Sequence, residues 1–170
     1  MSDDISIVTD WVTALAAAKI NWTLSVVCKR PDGFHEIQSL VSPVTLYDRM
    51  EFAETEEAKF ALECDAADVP TDGTNLVYRA ARLLAVKAGR RLSGQCRLTK
   101  QIPTGGGLGG GSSNAATTLM TLNRLWGLDW PKERLAELAA ELGSDVALFL
   151  ERGPAVISGR GEIVEPVKLG

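Results

Sequence analysis

The sequence is poor in several features that mark whole classes of protein. Aromatic residues make up 6% of its 170 positions, and it has a single histidine. The net charge of −4 leaves no excess of basic residues, which argues against a nucleic-acid partner. No apolar run approaches the roughly 20 residues that a membrane-spanning helix needs. With 45% hydrophobic and 24% charged residues, the composition predicts one soluble globular domain.

Cysteine is also scarce. Cys28, Cys64 and Cys96 are odd in number and far apart, and they form neither a CxxC pair nor a disulfide framework. Each is expected to be a buried, inert thiol. The first ten residues contain three aspartates and no basic segment, unlike a signal peptide. These features predict a protein of the reducing cytoplasm.

Alternating polar and apolar residues over positions 16–28 predict the first strand. Its apolar face, which is expected to be buried, carries Ile20, Trp22, Leu24 and Val26. Lys19 and Asn21 lie on the polar face, which can border a cleft. A second β stretch is expected over residues 36–52, with interruptions.

Three later segments have the apolar spacing of amphipathic helices. They cover residues 75–87, 112–126 and 131–142, and each ends at or just before a glycine, which favours helix termination. Strands are expected in groups before and between these helices, without a regular βαβ rhythm. The sequence therefore predicts an α+β fold, with a mixed sheet packed against helices and no internal domain boundary.

Six glycines occupy the seven positions from Gly105 to Gly111, around Leu108. Ordering glycine costs more backbone entropy than ordering any other residue, so such a run implies a specific need. Phosphate supplies that need, because a backbone without Cβ atoms can approach phosphate oxygens and present successive N–H groups. The run lies between a strand ending at Ile102 and a helix whose N-terminal dipole attracts anions. Ser112 and Ser113 are expected to cap this helix, and one hydroxyl can contact phosphate or magnesium.

Other interpretations fit the glycine run less well. A P-loop ends in Gly-Lys followed by Ser or Thr, whereas Ser112 follows Gly111 with no lysine between them. Gly105, Gly107 and Gly110 match the Rossmann spacing, but a second helix follows where a parallel strand ending in an acidic residue is required. A flexible linker is disfavoured because a strand, a proline and a helix flank the run closely.

The segment from Pro103 to Ala116 resembles the ATP motif of the GHMP kinases, the family of galactokinase, homoserine kinase and mevalonate kinase. Four further segments agree with this resemblance in the family's order. Residues 18–21, 30–36, 75–81 and 142–146 resemble its first-strand motif, its substrate turn, a nucleotide-side helix and the catalytic-aspartate segment. The resemblance spans most of the chain and implies the N-terminal domain fold of that family.

The resemblance also implies a reaction, in which ATP with Mg²⁺ phosphorylates a small alcohol. The triple-glycine form is most similar to the branch that phosphorylates the 2-hydroxyl of a cytidine-diphosphate-linked methylerythritol. By that similarity Asp145 accepts or orients the hydroxyl proton, and Lys19 holds Asp145 and the incoming phosphate. These residue types suit phosphoryl transfer, whose charge-spread transition state depends mainly on positioning and positive charge. Taken alone, Asp145 also suits the first turn of a helix, and Lys19 a solvated surface.

Binding residues are implied by the same resemblance. Those for ATP are Asn75, Pro103, Thr104, Gly105, Gly106, Gly107, Leu108, Gly109, Gly110, Gly111, Ser112 and Ser113. Asn21, Phe34, His35 and Asp145 are implied to contact the substrate. Phe34 stands where relatives usually have tyrosine, which keeps an aromatic face for stacking on cytosine but loses a hydroxyl. Homoserine and mevalonate offer no cytosine for Phe34 and His35 to hold, so kinases for those alcohols are disfavoured. A catalytically silent nucleotide-binding module is the alternative from another functional class.

The length of the chain departs from the family pattern. Family members carry a second, C-terminal domain that closes the site, whereas residues 1–170 resemble the N-terminal ATP-binding domain alone. We therefore expect weak or absent turnover unless a second domain is supplied.

Overall fold

A computed structural model describes residues 11–29, 33, 35–151 and 153–167. The strands are β1 Val12–Asn21, β2 Ser25–Lys29, β3 His35–Ala53, β4 Phe60–Cys64, β5 Gly94–Thr99, β6 Ala155–Gly159 and β7 Ile163–Pro166. The helices are α1 Leu76–Lys87, α2 Gly110–Leu125 and α3 Lys132–Leu142, and a 3₁₀ turn follows at Ala147–Leu150. The grouping of strands and helices is that of the predicted α+β fold.

The strands form one mixed sheet around the long strand β3. Its first half pairs with β2 and β6, its second half pairs with β5, and β1 runs antiparallel along much of its length. Among the described strands, β4 and β5 alone pair in parallel. The sequence predicted interruptions of β3, but the strand is continuous and contains a bulge instead. Ala17 lies opposite Tyr47 while Ala18 lies opposite Val44, so β3 has two extra residues there.

The main core lies between the sheet and the three helices. Helix α2 is central and packs against β1, α1, α3 and the 3₁₀ turn. Its predicted apolar face is buried, at Ala115, Leu119, Leu122 and Trp126. All three predicted helices are present, with ends within about two residues of those expected. No helix in the described part of the chain is long and apolar enough to cross a bilayer.

The prediction for the first strand is wrong. Residues 16–28 do not form one strand, because residues 22–24 separate β1 from β2. Trp22, Leu24 and Val26, which were expected to be buried, are exposed over 66%, 62% and 61% of their surface. All five residues of β2 are exposed, so neither of its faces is covered by another described layer. Alternation distinguishes the two faces of a strand, but it does not show that anything packs against either of them.

The cysteines differ from one another in burial. Cys96 on β5 is buried as predicted and Cys64 is half-buried, but Cys28 on β2 is exposed, which corrects the prediction for that residue. Burial raises the pKa of the Cys96 thiol, and it also raises the pKa of Cys64.

Candidate active site

The glycine run lines a cavity of about 400 Å³ at the N-terminus of α2. Helix α2 begins at Gly110, two residues earlier than predicted, and its N-cap is Gly109 with φ 72°. Ser112 and Ser113 therefore lie inside the helix, and the prediction that they cap it is wrong. In the described structure no side chain caps this end, so the first N–H groups of α2 are available to an anion.

Position 109 requires glycine for two reasons, namely its left-handed backbone and the close approach of neighbouring side chains. A Cβ at this position would lie 2.6 Å from Phe149 Cζ and 3.1 Å from Lys19 Cγ. The N–H of Lys19 donates to the carbonyl oxygen of Leu108 at 2.9 Å. Strand β1 and the 3₁₀ turn thus fix one side of the loop.

The other side of the loop is fixed by the segment that follows β5. A Cβ on Gly110 would lie 3.0 Å from Ile102 Cγ2 and 3.2 Å from Lys100 Nζ. Asp48, which is fully buried, accepts hydrogen bonds from the N–H groups of Gln101 and Ile102 at 2.8 Å each. Its carboxylate also accepts a hydrogen bond from the Lys100 ammonium. Neither Asp48 nor Lys100 was predicted from the sequence, since 52 positions separate the two residues and no local pattern joins them.

Most of the predicted ATP-binding residues border the cavity. They are Asn75, Pro103, Thr104, Gly105, Gly106, Gly107, Leu108, Gly109, Gly110, Gly111 and Ser112. Ser113 instead lines a separate cavity of about 640 Å³ between β1 and α2. Asn75 is the N-cap of α1, where its Oδ1 accepts from the N–H of Val77 and its Nδ2 donates to the carbonyl oxygen of Pro70. Its side chain therefore holds the end of α1 beside the cavity.

Lys19 and Asp145 lie together next to the glycine loop. Lys19 Nζ is 4.0 Å from Asp145 Oδ2, with the lysine side chain 10% exposed and the aspartate side chain 37% exposed. Lys19 Nζ also donates to Asn21 Oδ1 at 2.6 Å, and Asn21 Nδ2 donates to Ser39 Oγ at 2.7 Å. These bonds hold the ammonium in place, while the carboxylate faces partly toward solvent.

Asp145 is positioned by the junction that follows α3. Its neighbour Val146 is fully buried and donates its N–H to the carbonyl oxygen of Gly143 at 3.2 Å. The turn between β6 and β7 also approaches Asp145, since a Cβ on Gly161 would lie 3.3 Å from Asp145 Oδ1. Asp145 precedes the 3₁₀ turn rather than lying in a helix.

The predicted cytosine turn is described only in part. Phe34 and residues 30–32 lie outside the described residues. Gly33 has φ 85°, which agrees with the predicted turn, and His35 is exposed at the start of β3, opposite Lys29.

The uncapped, glycine-lined start of α2 and the Lys19–Asp145 pair therefore lie beside the same short loop. Comparison with known proteins adds evidence on the family of this chain. Residues 75–153 match the family described as GHMP kinases N terminal domain. This chain contains the N-terminal domain of the GHMP kinases. Both the predicted family and the predicted α+β fold are confirmed.

Similar proteins carry the name of one GHMP kinase. The chain is 47% identical over 154 residues to 4-diphosphocytidyl-2-C-methyl-D-erythritol kinase of Pelotomaculum thermopropionicum. The aligned segment covers 91% of this chain and 54% of that protein. It is 46% identical over 154 residues to the enzyme of the same name from Chromobacterium violaceum, with the same two coverages. A crystal structure of 4-(cytidine 5′-diphospho)-2C-methyl-D-erythritol kinase matches with TM-score 0.79 and 38% identity, covering 94% of this chain and 56% of that one. The chain spans about half the length of these relatives.

Proposed function

We propose that this GHMP kinase domain binds ATP in the glycine-lined cavity. We further propose that it phosphorylates the 2-hydroxyl of 4-diphosphocytidyl-2-C-methyl-D-erythritol, in non-mevalonate isoprenoid biosynthesis. The observation that carries the proposal is the Lys19–Asp145 pair, at 4.0 Å, beside the uncapped start of α2. The names of relatives at 46–47% identity support this choice of substrate.

Each group has a distinct role in the proposed reaction. The first N–H groups of α2 and the dipole of the helix bind phosphate oxygens. Lys19, held by Asn21, stabilises negative charge on the transferred phosphoryl group. Asp145 accepts or orients the proton of the attacking hydroxyl, and its partial exposure leaves room for the substrate alcohol.

Mg²⁺ fits this site as an ion bound mainly by the phosphates of the nucleotide, and not as an ion held by protein side chains alone. In the described part of the chain, no group of three His, Cys, Asp or Glu residues could hold a metal. Mg²⁺ usually keeps several waters and binds phosphate oxygens, so it does not need such a group. Ser112 lines the cavity and has a hydroxyl of the kind that Mg²⁺ accepts. When bound, the ion would neutralise charge on the phosphates.

We also propose that a second domain completes the site. The matched part of the relatives is 54% of their length, which leaves a further half that can supply it. The exposed side chains of Trp22 and Leu24 offer an apolar surface for such a domain. The cytoplasm is the proposed location, supported by three cysteines that are free thiols.

Phosphorus NMR tests the proposed function directly. The 170-residue chain is incubated with ATP, Mg²⁺ and the cytidine substrate, with and without the C-terminal half of the Pelotomaculum relative. We expect product mainly when both halves are present, and far less product when the Asp145→Asn variant is used in place of the parent chain. Equal turnover by the chain alone would contradict the need for a second domain. ATP binding without transfer by the combined halves would instead favour a silent nucleotide-binding module.

A further inference from the structure

Asp48 lies where the β3–β5 ladder ends. The last paired residue of β5 is Thr99, and beyond it the chain leaves the sheet toward the glycine loop. Oδ1 of Asp48 accepts the N–H groups of both Gln101 and Ile102 at 2.8 Å. A side chain thus continues the hydrogen bonding of the sheet at the point where the backbone departs. The buried carboxylate of Asp48 therefore helps to fix the path of the chain into the loop, together with Asp65, whose Oδ1 accepts the N–H of Lys100 at 2.9 Å.

The second oxygen of Asp48 has a separate task. Oδ2 accepts from Lys100 Nζ, and the lysine side chain is only 9% exposed. Lys100 lines the glycine cavity, and its Nζ lies 3.2 Å from where a Cβ of Gly110 would be. The ammonium therefore lies beside the first residue of α2, where the helix dipole is also positive. Two positive features at one point favour the binding of an anion there.

Fold stability alone does not account for this ion pair. Desolvating two charges typically offsets their attraction, and apolar pairs of similar volume are often equally stable. Here the fully buried Asp48 binds three donors from one short segment, and that segment leads directly into the phosphate loop. Ile102, one of the three, is buried and packs against Gly110. The contacts of Asp48 thus converge on the start of α2.

We propose that Asp48 is a positioning residue for the polyphosphate of the nucleotide. It holds the Lys100 ammonium at the cavity and holds Ile102 against Gly110, so that the ammonium and the first N–H groups of α2 bind phosphate together. The inference rests on the proposed function, because it requires a phosphate-bearing ligand in this cavity. Replacing Asp48 should therefore weaken the binding of the phosphate groups and leave the binding of the base unchanged.

The two oxygens of Asp48 allow its two tasks to be separated. Asp48→Asn keeps an oxygen for both backbone N–H groups but replaces the oxygen that accepts from Lys100 with an NH₂ group, which cannot accept a hydrogen bond. Lys100→Met removes the ammonium, Lys100→Arg keeps a positive charge, and the double variant Asp48→Asn/Lys100→Met removes both charges. Lys87→Met is the matched control, since it breaks an exposed ion pair with Glu141 on the helical surface.

Calorimetry then measures the binding of three probes, namely ADP with Mg²⁺, tripolyphosphate with Mg²⁺, and adenosine. We expect Asp48→Asn and Lys100→Met to weaken both phosphate-bearing probes by about 10-fold or more, the effect of one charge-assisted hydrogen bond. Adenosine binding should stay within about twofold, Lys100→Arg should restore part of the loss, and the control should bind like the parent chain. The double variant should regain thermal stability without regaining affinity for polyphosphate.

Amide hydrogen exchange without nucleotide provides a second readout. We expect faster exchange of the Gln101, Ile102 and Ser113 amides in Asp48→Ala, which removes the acceptor of the first two. Exchange at these amides should stay unchanged in Lys87→Met. Recovery of affinity together with stability in the double variant would overturn the proposal, as would equal losses for adenosine. If the parent chain binds none of the probes, the proposed function fails. Unchanged exchange of the Gln101, Ile102 and Ser113 amides in Asp48→Ala overturns the role of Asp48 whether or not nucleotide binds.

Discussion

Glycine is required at different positions of the glycine loop for different physical reasons. Gly109 combines φ 72° with a Cβ position only 2.6 Å from the Phe149 ring. Gly106 has no positive φ, and the nearest atom to its Cβ position lies at 3.6 Å. The same substitution at these two positions therefore separates steric necessity from the flexibility of the loop.

We expect Gly109→Ala to lower the free energy of unfolding by about 2–4 kcal/mol, from left-handed strain and overpacking against Phe149. It should also abolish nucleotide binding, because α2 can no longer start in its observed direction. Gly106→Ala should change the free energy of unfolding by less than about 0.5 kcal/mol. Urea unfolding with matched titrations of ADP measures both quantities. Similar losses in the two variants would show that loop flexibility, and not contact, requires glycine.

The Lys19–Asp145 pair makes a prediction about chemistry rather than binding. Once the second domain is supplied, Asp145→Asn should lower kcat by about 10²–10⁴-fold, the usual range for a group that handles a proton. Its ATP affinity should change little, because Asp145 is not among the residues that line the glycine cavity. Quenched-flow kinetics with independent ATP titration measures the two effects. A loss confined to KM for ATP would assign Asp145 to nucleotide binding instead.

At the scale of elements, β2 and β5 present thiols in very different surroundings. Cys28 on β2 is exposed, Cys64 at the end of β4 is half-buried, and Cys96 on β5 is buried. Burial raises the pKa of Cys64 and Cys96, which lowers the fraction of reactive thiolate at any pH below that value.

Iodoacetamide at pH 8 should therefore alkylate Cys28 first, Cys64 much more slowly, and Cys96 only in unfolded protein. Because folding raises the pKa of Cys64 and Cys96, their stabilising contribution is complete below the unfolded thiol pKa of about 8.5. It declines as the pH rises above that value. Peptide mass spectrometry over time gives the order of alkylation. Rapid labelling of Cys96 in folded protein would mean that β5 opens readily.

The helices were easier to predict than the strands, for physical reasons. A helical apolar stripe such as Ala115, Leu119 and Leu122 is buried because the helix packs on the sheet along that stripe. Alternation around Trp22 and Leu24 predicted one strand with a buried face, but residues 22–24 lie between β1 and β2 and both side chains are exposed. Lys19 and Asp145 were found through a resemblance of whole segments.

The Asp48–Lys100 pair could not be predicted in this way. Asp48 meets its three donors only because β3 and β5 become neighbours in the folded sheet. A contact between residues 52 positions apart leaves no periodic signal in the sequence. The glycine run predicted where phosphate should bind, but not which side chains hold the loop in place.

At the scale of the whole molecule, the exposed apolar residues around β2 indicate a surface for the proposed second domain. Trp22 is 66% exposed and Val27 is 62% exposed, although both are large apolar side chains. Covering them would remove unfavourable contact with water, at roughly 25 cal/mol per Å² of apolar surface.

Trp22 can report this event. Adding the C-terminal half of the Pelotomaculum relative should shift its fluorescence emission to shorter wavelength and reduce quenching by acrylamide. In Trp22→Phe the change should largely disappear, which separates this residue from the other three tryptophans of the chain. An unchanged emission in a catalytically competent mixture would place the second domain on another surface.

The long strand β3 also has a consequence for synthesis of the chain. The carboxylate of Glu36 near its start accepts the N–H of Gly159, 123 positions later, at the end of β6. Ribosomes add about 5–20 residues per second, so this edge of β3 waits roughly 6–25 s for its partner strand. During that interval the nascent chain presents an unpaired β edge to its surroundings. Chaperone binding or slow translation before β6 should therefore affect the yield of folded protein more than changes in the helices do.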